Sequence, residues 1–131
     1  MSALNLTSIE TGISRENIVP VLNEIRHALK KLVDSNETTV IDIKSLPFGE
    51  QEEKKLLKIL GEGEVQITLN SMGESVIYET HFQGVWVVTH KNYDAQIASR
   101  FIEICYVPEI VKTPPEDIED SIRELVRTLK D

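Results

Sequence analysis

The 131-residue sequence predicts an α+β fold in which a four-stranded antiparallel sheet carries helices packed on one face. Three observations point there. Apolar residues recur at three- and four-residue spacing near both ends of the chain, the period falls to two between about residues 63 and 107, and short polar turns separate the period-two runs.

Residues 1–16 are polar with isolated apolar positions and are expected to form an irregular lead-in, with a short turn near Leu6–Glu10. The first helix is expected from Ser14 or Asn17. Ile18, Val21, Leu22, Ile25, Leu29, Leu32 and Val33 then make one apolar stripe. Capping at Asn17 would place Pro20 in the first turn, where its missing N–H costs no internal bond. "TTVIDI" at 38–43 is β-branched and reads as a strand or an extended edge segment. A turn at Leu46–Gly49 leads to a helix from Glu50 to Leu60, which Gly61 can cap.

Four sheet strands follow: "GEVQITLN" at 63–70, "SVIYET" at 75–80, "GVWVVTH" at 84–90 and "AQIASRFIEICYV" at 95–107. Apolar residues on both faces of the third suggest an interior strand, and an antiparallel meander is the simplest way to join them. Pro108 and Pro114–Pro115 bracket a connector. Thr113 can cap a last helix, whose Ile118, Ile122, Leu125, Val126 and Leu129 are expected to form a buried stripe. The whole reads as a single domain spanning 1–131.

Composition limits function. Lys plus Arg number 14 against 22 Asp plus Glu, a formal charge of −8, which disfavours phosphate backbones and anionic membranes as partners. No apolar run reaches the roughly 20 residues that span a bilayer, and residues 1–17 lack a basic region followed by a long apolar segment. With one Cys there is no internal disulfide to form, so a cytoplasmic location is expected.

No catalytic residue stands out. Cys105 has no assignable activating partner, and "GEGE" at 61–64 lacks the spacing and the Lys of a phosphate loop. His27 sits at a helix boundary, while His81 and His90 lie near strand ends. Glu79 and His81 share a strand face, as do Glu103 and Cys105. Convergence of these four would make a mixed metal site, against which stands the lack of any Cys-x-x-Cys, His-x-His or His-Glu-x-x-His pattern. Ordinary sheet positions are the simpler reading, and no cofactor is expected. Phe48, Phe82 and Trp86 are either core plugs or contacts for a protein partner, and the acidic surface favours a basic one.

The same segments carry a family likeness. Leu46–Pro47–Phe48–Gly49, Leu60–Gly61–Glu62–Gly63–Glu64–Val65, Glu79–Thr80, Gly84–Val85–Trp86, Ile102–Glu103 and Val107–Pro108–Glu109 occur in an order that resembles the hydrogenase expression/formation proteins of the HupH/HyaF type. The likeness covers about residues 45–110, and the C-terminal helix fits the layout of a family module at 45–131. It implies a noncatalytic factor in [NiFe] hydrogenase maturation that holds a hydrogenase subunit or its precursor, with the iron–sulfur small subunit as the client. It carries over no catalytic residues. Many members look about twice as long, so this chain resembles a single module, and self-association as a homodimer would supply a second. The alternatives are a metal or iron–sulfur delivery protein using Glu79, His81, Glu103 and Cys105, and a small enzyme with a carboxylate site outside known motifs.

Overall fold

The computed structural model describes residues 12–131. In chain order it contains α1 (Gly12–Ser35), β1 (Thr39–Asp42), a 3-10 turn (Ile43–Ser45), α2 (Glu50–Leu60), β2 (Gln66–Ser71), β3 (Gly73–Glu79), β4 (Val85–Lys91), β5 (Ile97–Ile104), a second 3-10 turn (Glu109–Val111) and α3 (Pro115–Lys130). The turn expected near Leu6–Glu10 lies outside the described residues.

The sheet has five strands, not four, in the order β1-β5-β4-β3-β2 with every neighbouring pair antiparallel. β2 to β5 form the expected meander. The addition is β1, which crosses to the far side and pairs with β5 from Thr39↔Ile104 to Asp42↔Phe101. Without it the outer edge of β5 would expose a row of unpaired N–H and C=O groups. Its alternation serves the core as well, since Ile41 and then Ile43 turn inward. β4 takes the centre, and Val85, Trp86, Val87 and Val88 are all buried there.

One face of the sheet is covered by α1 and α2. Ile18, Val21, Ile25, Ala28 and Leu32 of α1, with Leu56 and Leu60 of α2, pack on Ile41, Ile43, Val85, Ile102 and Ile104. Arg100 points to this side, where its guanidinium donates to Glu53 Oε2 of α2 at 2.7 Å and to Thr89 Oγ1 at 2.9 Å. The opposite face holds a smaller cluster of Ile77, Trp86, Val88 and Cys105, edged by Ile67, Leu69 and Val111.

The first helix starts at Gly12, ahead of the expected Ser14 or Asn17, so residues 12–16 belong to it and not to an irregular lead-in. Pro20 therefore lies inside the helix, on its exposed side. The bond its missing N–H forgoes is to a backbone carbonyl one turn earlier, and the buried stripe from Ile18 onward holds the helix together across it. α2 runs as expected to Gly61, whose φ of 68° suits a residue without a side chain. At its other end the Glu52 carboxylate accepts the Gly49 N–H at 2.8 Å.

The last helix departs furthest from expectation. Its N-cap is Pro114, with no side-chain cap bond from Thr113, and Pro115 takes the first helical position. The stripe expected to be buried is not: Ile118, Ile122, Leu125, Val126 and Leu129 are 46–83% exposed. Every residue from Lys112 to Asp131 is exposed, so α3 stands away from its own domain.

Candidate protein-docking surface

A groove of about 410 Å³ opens beside the edge strand β1, where β5 ends. Its walls come from Leu32 near the end of α1 and Asn36 just after it, from Thr38, Thr39 and Val40, from Glu103, Cys105, Tyr106 and Val107, and from Glu109 and Lys112 around the second 3-10 turn. The chain makes this shape because β5 stops pairing at Ile104 and Pro108 then opens a 3-10 turn. Cys105, Tyr106 and Val107 are left between the two. Cys105 is buried, whereas Tyr106 and Val107 are exposed, and Val40 stands out on the neighbouring edge strand. The Thr39 hydroxyl in this wall is buried and meets no partner among the described residues.

The β3–β4 turn lies at the same end of the sheet. Cys105 N–H donates to the Gly84 carbonyl at 3.0 Å, immediately beyond the pairing of Val85 with Ile104. Gly84 has a φ of 94°, and a Cβ there would sit 3.2 Å from Leu29 Cδ2, so a glycine lets the turn close against α1. The turn is held by Thr80, whose hydroxyl donates to Phe82 O and accepts the Phe82 N–H. Glu79 Oε2 accepts the Gly84 N–H at 2.9 Å. Phe82 is left 45% exposed at the tip, with the His81 ring against its edge.

The three aromatics named from the sequence thus have different fates. Phe82 reaches solvent, Phe48 is half-buried against the α1/α2 core, and Trp86 is buried with its indole Nε1–H donating to Cys105 O at 3.1 Å. They do not make one exposed patch. Tyr106, Val107 and Val40, which sequence reading passed over as contacts, are among the exposed apolar side chains at this end of the sheet, with Val65 and Ile110. The available signal was position: Tyr106 and Val107 fall between the last alternating strand residue and Pro108, where no sheet partner can cover them.

Of the four candidate metal ligands, Glu103 and Cys105 share the groove wall, whereas Glu79 and His81 lie outside it. Glu79 and Glu103 stand on either side of Trp86, each paired with it across the sheet. The Glu79 carboxylate is engaged by the Gly84 N–H, and His81 N–H binds Leu60 O beside Gly61. Among the described residues no three His, Cys, Asp or Glu side chains form a metal-holding group. Burial pushes the Cys105 thiol up to about 11, with the negative charge of Glu103 adding to the effect. It therefore stays protonated at neutral pH, the wrong form for a ligand or nucleophile. Burial also raises the Glu103 carboxyl, with His90 pulling it back and Glu109 adding to the rise. His90 itself shares a 2.7 Å hydrogen bond with Ser75 Oγ. The groove sets the apolar side chains of Leu32, Val40 and Val107 beside the charged ones of Glu103, Glu109 and Lys112. No helix among the described residues is long and apolar enough to cross a membrane.

Comparison with known proteins places this architecture. The family model described as HupH hydrogenase expression protein, C-terminal conserved region, matches residues 16–131. The hydrogenase expression/formation protein HupQ of Azotobacter chroococcum is 31% identical over 111 residues, covering 83% of this chain and 39% of that protein. The hydrogenase-1 operon protein HyaF of Escherichia coli is 33% identical over 85 residues, 65% of this chain and 30% of the relative. The chain thus spans well under half the length of these curated relatives. Among solved structures, the hydrogenase expression protein HupH from Thiobacillus denitrificans superposes with a TM-score of 0.84 at 37% identity, covering 88% of this chain and 96% of that one.

Proposed function

Because this chain belongs to the HupH hydrogenase expression protein family, matched over the family's C-terminal conserved region, we propose that it is a noncatalytic accessory factor of hydrogenase maturation. It acts in the cytoplasm and holds an immature hydrogenase subunit. The observation that carries this reading is the family match across residues 16–131, which takes in every strand, the last two helices and all but the first four residues of the first helix. The client is the iron–sulfur small subunit before its assembly. Surfaces that join permanent complexes are more apolar than the rest of a protein, so covering the client's before assembly prevents misassociation.

The contact end of the module is where Tyr106 and Val107 line the groove and Phe82 is exposed at the β3–β4 turn. Exposed aromatics next to a concavity supply the anchor and the pocket that concentrate binding energy. The formal charge of −8 draws a basic client surface and speeds encounter. Of the three aromatic contacts expected from the sequence, Phe82 has the free surface to act directly, while Trp86 holds the floor of the site through its bond to Cys105 O.

The test is affinity capture with the full chain in cells making hydrogenase, followed by mass spectrometry. Enrichment of an immature hydrogenase subunit is expected, with a loss of at least tenfold for the variant Phe82→Asp, Tyr106→Asp, equivalent to about 1.4 kcal/mol. Absence of every hydrogenase component under all expression conditions would overturn the function. Capture undiminished by the substitutions would overturn this surface and leave the function to another face.

A further inference from the structure

An amphipathic helix of 16 residues with its apolar face in water is a physical anomaly. Helices of this length are marginal alone, and most of their stability comes from burying that face. α3 is not turned back onto its own domain. Between the second 3-10 turn and the helix lie only Lys112, Thr113 and Pro114, and each residue preceding a proline is held extended. Pro114 has φ −63° and ψ 143°, so the connector is a short rigid strut that carries the stripe outward.

The stripe itself says what covers it. Ile118, Ile122, Leu125 and Leu129 are spaced by four, three and four residues, a pattern identical read from either end. An antiparallel copy therefore matches it in one register, Ile118 against Leu129 and Ile122 against Leu125, twice over about a two-fold axis. Ser121, Val126 and Thr128 border the seam, and Glu119 is the one charged residue beside it, so approach is not blocked by stranded charge. The remaining charges set direction. Glu116, Asp117, Glu119 and Asp120 fill the first half of the helix with acids alone, while in the second Arg123, Arg127 and Lys130 outnumber Glu124 and leave it net positive. Antiparallel packing lays the acidic half of one helix along the basic half of the other, whereas parallel packing would set four acids beside four acids. The ion pairs Arg123–Asp120 and Arg127–Glu124 within one helix are exposed and cost little to rearrange.

We infer that α3 is a homodimerisation element: the Ile118–Ile122–Leu125–Leu129 stripe pairs antiparallel with the same stripe of a second copy of this chain. The function proposed above does not depend on it, because the Phe82–Tyr106 surface uses other residues.

The experiment is the solution mass of the full chain by light scattering, with cysteine cross-linking to fix direction. The wild-type chain is expected at about twice 14.9 kDa at high-micromolar concentration, and Ile122→Glu, Leu125→Glu is expected to restore the monomer mass. Both residues are exposed in the single chain, so the variant keeps its core, and an unchanged Trp86 emission verifies this. A mixture of Ile118→Cys and Leu129→Cys chains should form a disulfide between unlike chains, whereas neither chain alone should link to itself. Cys105 is buried and does not compete. A monomeric wild type at every concentration would overturn the inference and leave the stripe to a different protein. A dimer that survives both glutamates, or self-linking of Ile118→Cys, would overturn it equally.

Discussion

Cys105 holds the groove wall by its backbone and by its neutrality. Its N–H is bound by Gly84 O, its carbonyl accepts the Trp86 indole, and its thiol is kept protonated by burial. A thiol that ionises near its ordinary value of about 9 when unfolded but near 11 when folded binds more protons in the folded state between those values. Stability from this group is therefore complete below about pH 9 and is lost as pH rises toward 11, a decline of roughly 2–3 kcal/mol. Urea unfolding across pH 8–11 should show a steeper fall for the wild type than for Cys105→Ala. The variant starts lower by the value of one small side chain but loses less with alkali. Parallel slopes would mean that the thiol ionises as freely in the native protein as in the unfolded one.

At the scale of elements, α2 shows what burial of a complete stripe achieves and α3 shows what its absence means. Leu56 and Leu60 are essentially without solvent exposure and join the helix to Ile41, Ile43 and Ile102. Leu56→Ala should cost about 2–5 kcal/mol in denaturant unfolding, because transfer energy is lost and the packed sheet closes the cavity only in part. Both helices have the same amphipathic signature in sequence, and periodicity announces that a face will be covered without saying by which chain. That is why the α2 boundaries from Glu50 to Gly61 were readable and the burial of Ile118 and Ile122 was misassigned. β1 presents the same gap. "TTVIDI" is recognisably a strand, but its partnership with β5 is a contact about sixty residues away that no local pattern encodes. The site was less legible than the fold. Phe82 could be named because an aromatic in a turn is conspicuous, whereas Tyr106 and Val107 look like the tail of a strand until pairing stops at Ile104.

Taken whole, the molecule is a sheet covered by two helices with a third, separately exposed helix held off it by Lys112–Pro114, and this division has a thermodynamic signature. The core from Ile18 to Cys105 buries its own apolar residues and gains nothing from α3, in which no residue is buried. If α3 is stabilised by a second copy, its order follows mass action while that of the core does not. Two probes separate them. Trp86 is the only tryptophan and reports the sheet. Helical ellipticity reports α3 together with α1 and α2, so part of its loss on heating belongs to α3 alone. The Trp86 fluorescence midpoint should stay constant as protein concentration is raised, while an early ellipticity phase should move to higher temperature with each tenfold increase. In Ile122→Glu, Leu125→Glu that phase should lie lower and stop moving, with the Trp86 midpoint unchanged. Coincident transitions at every concentration would mean that helix and core unfold as one unit. The strut would then couple α3 to the sheet, and the two surfaces assigned here, one for a client and one for a second copy, would no longer be energetically independent.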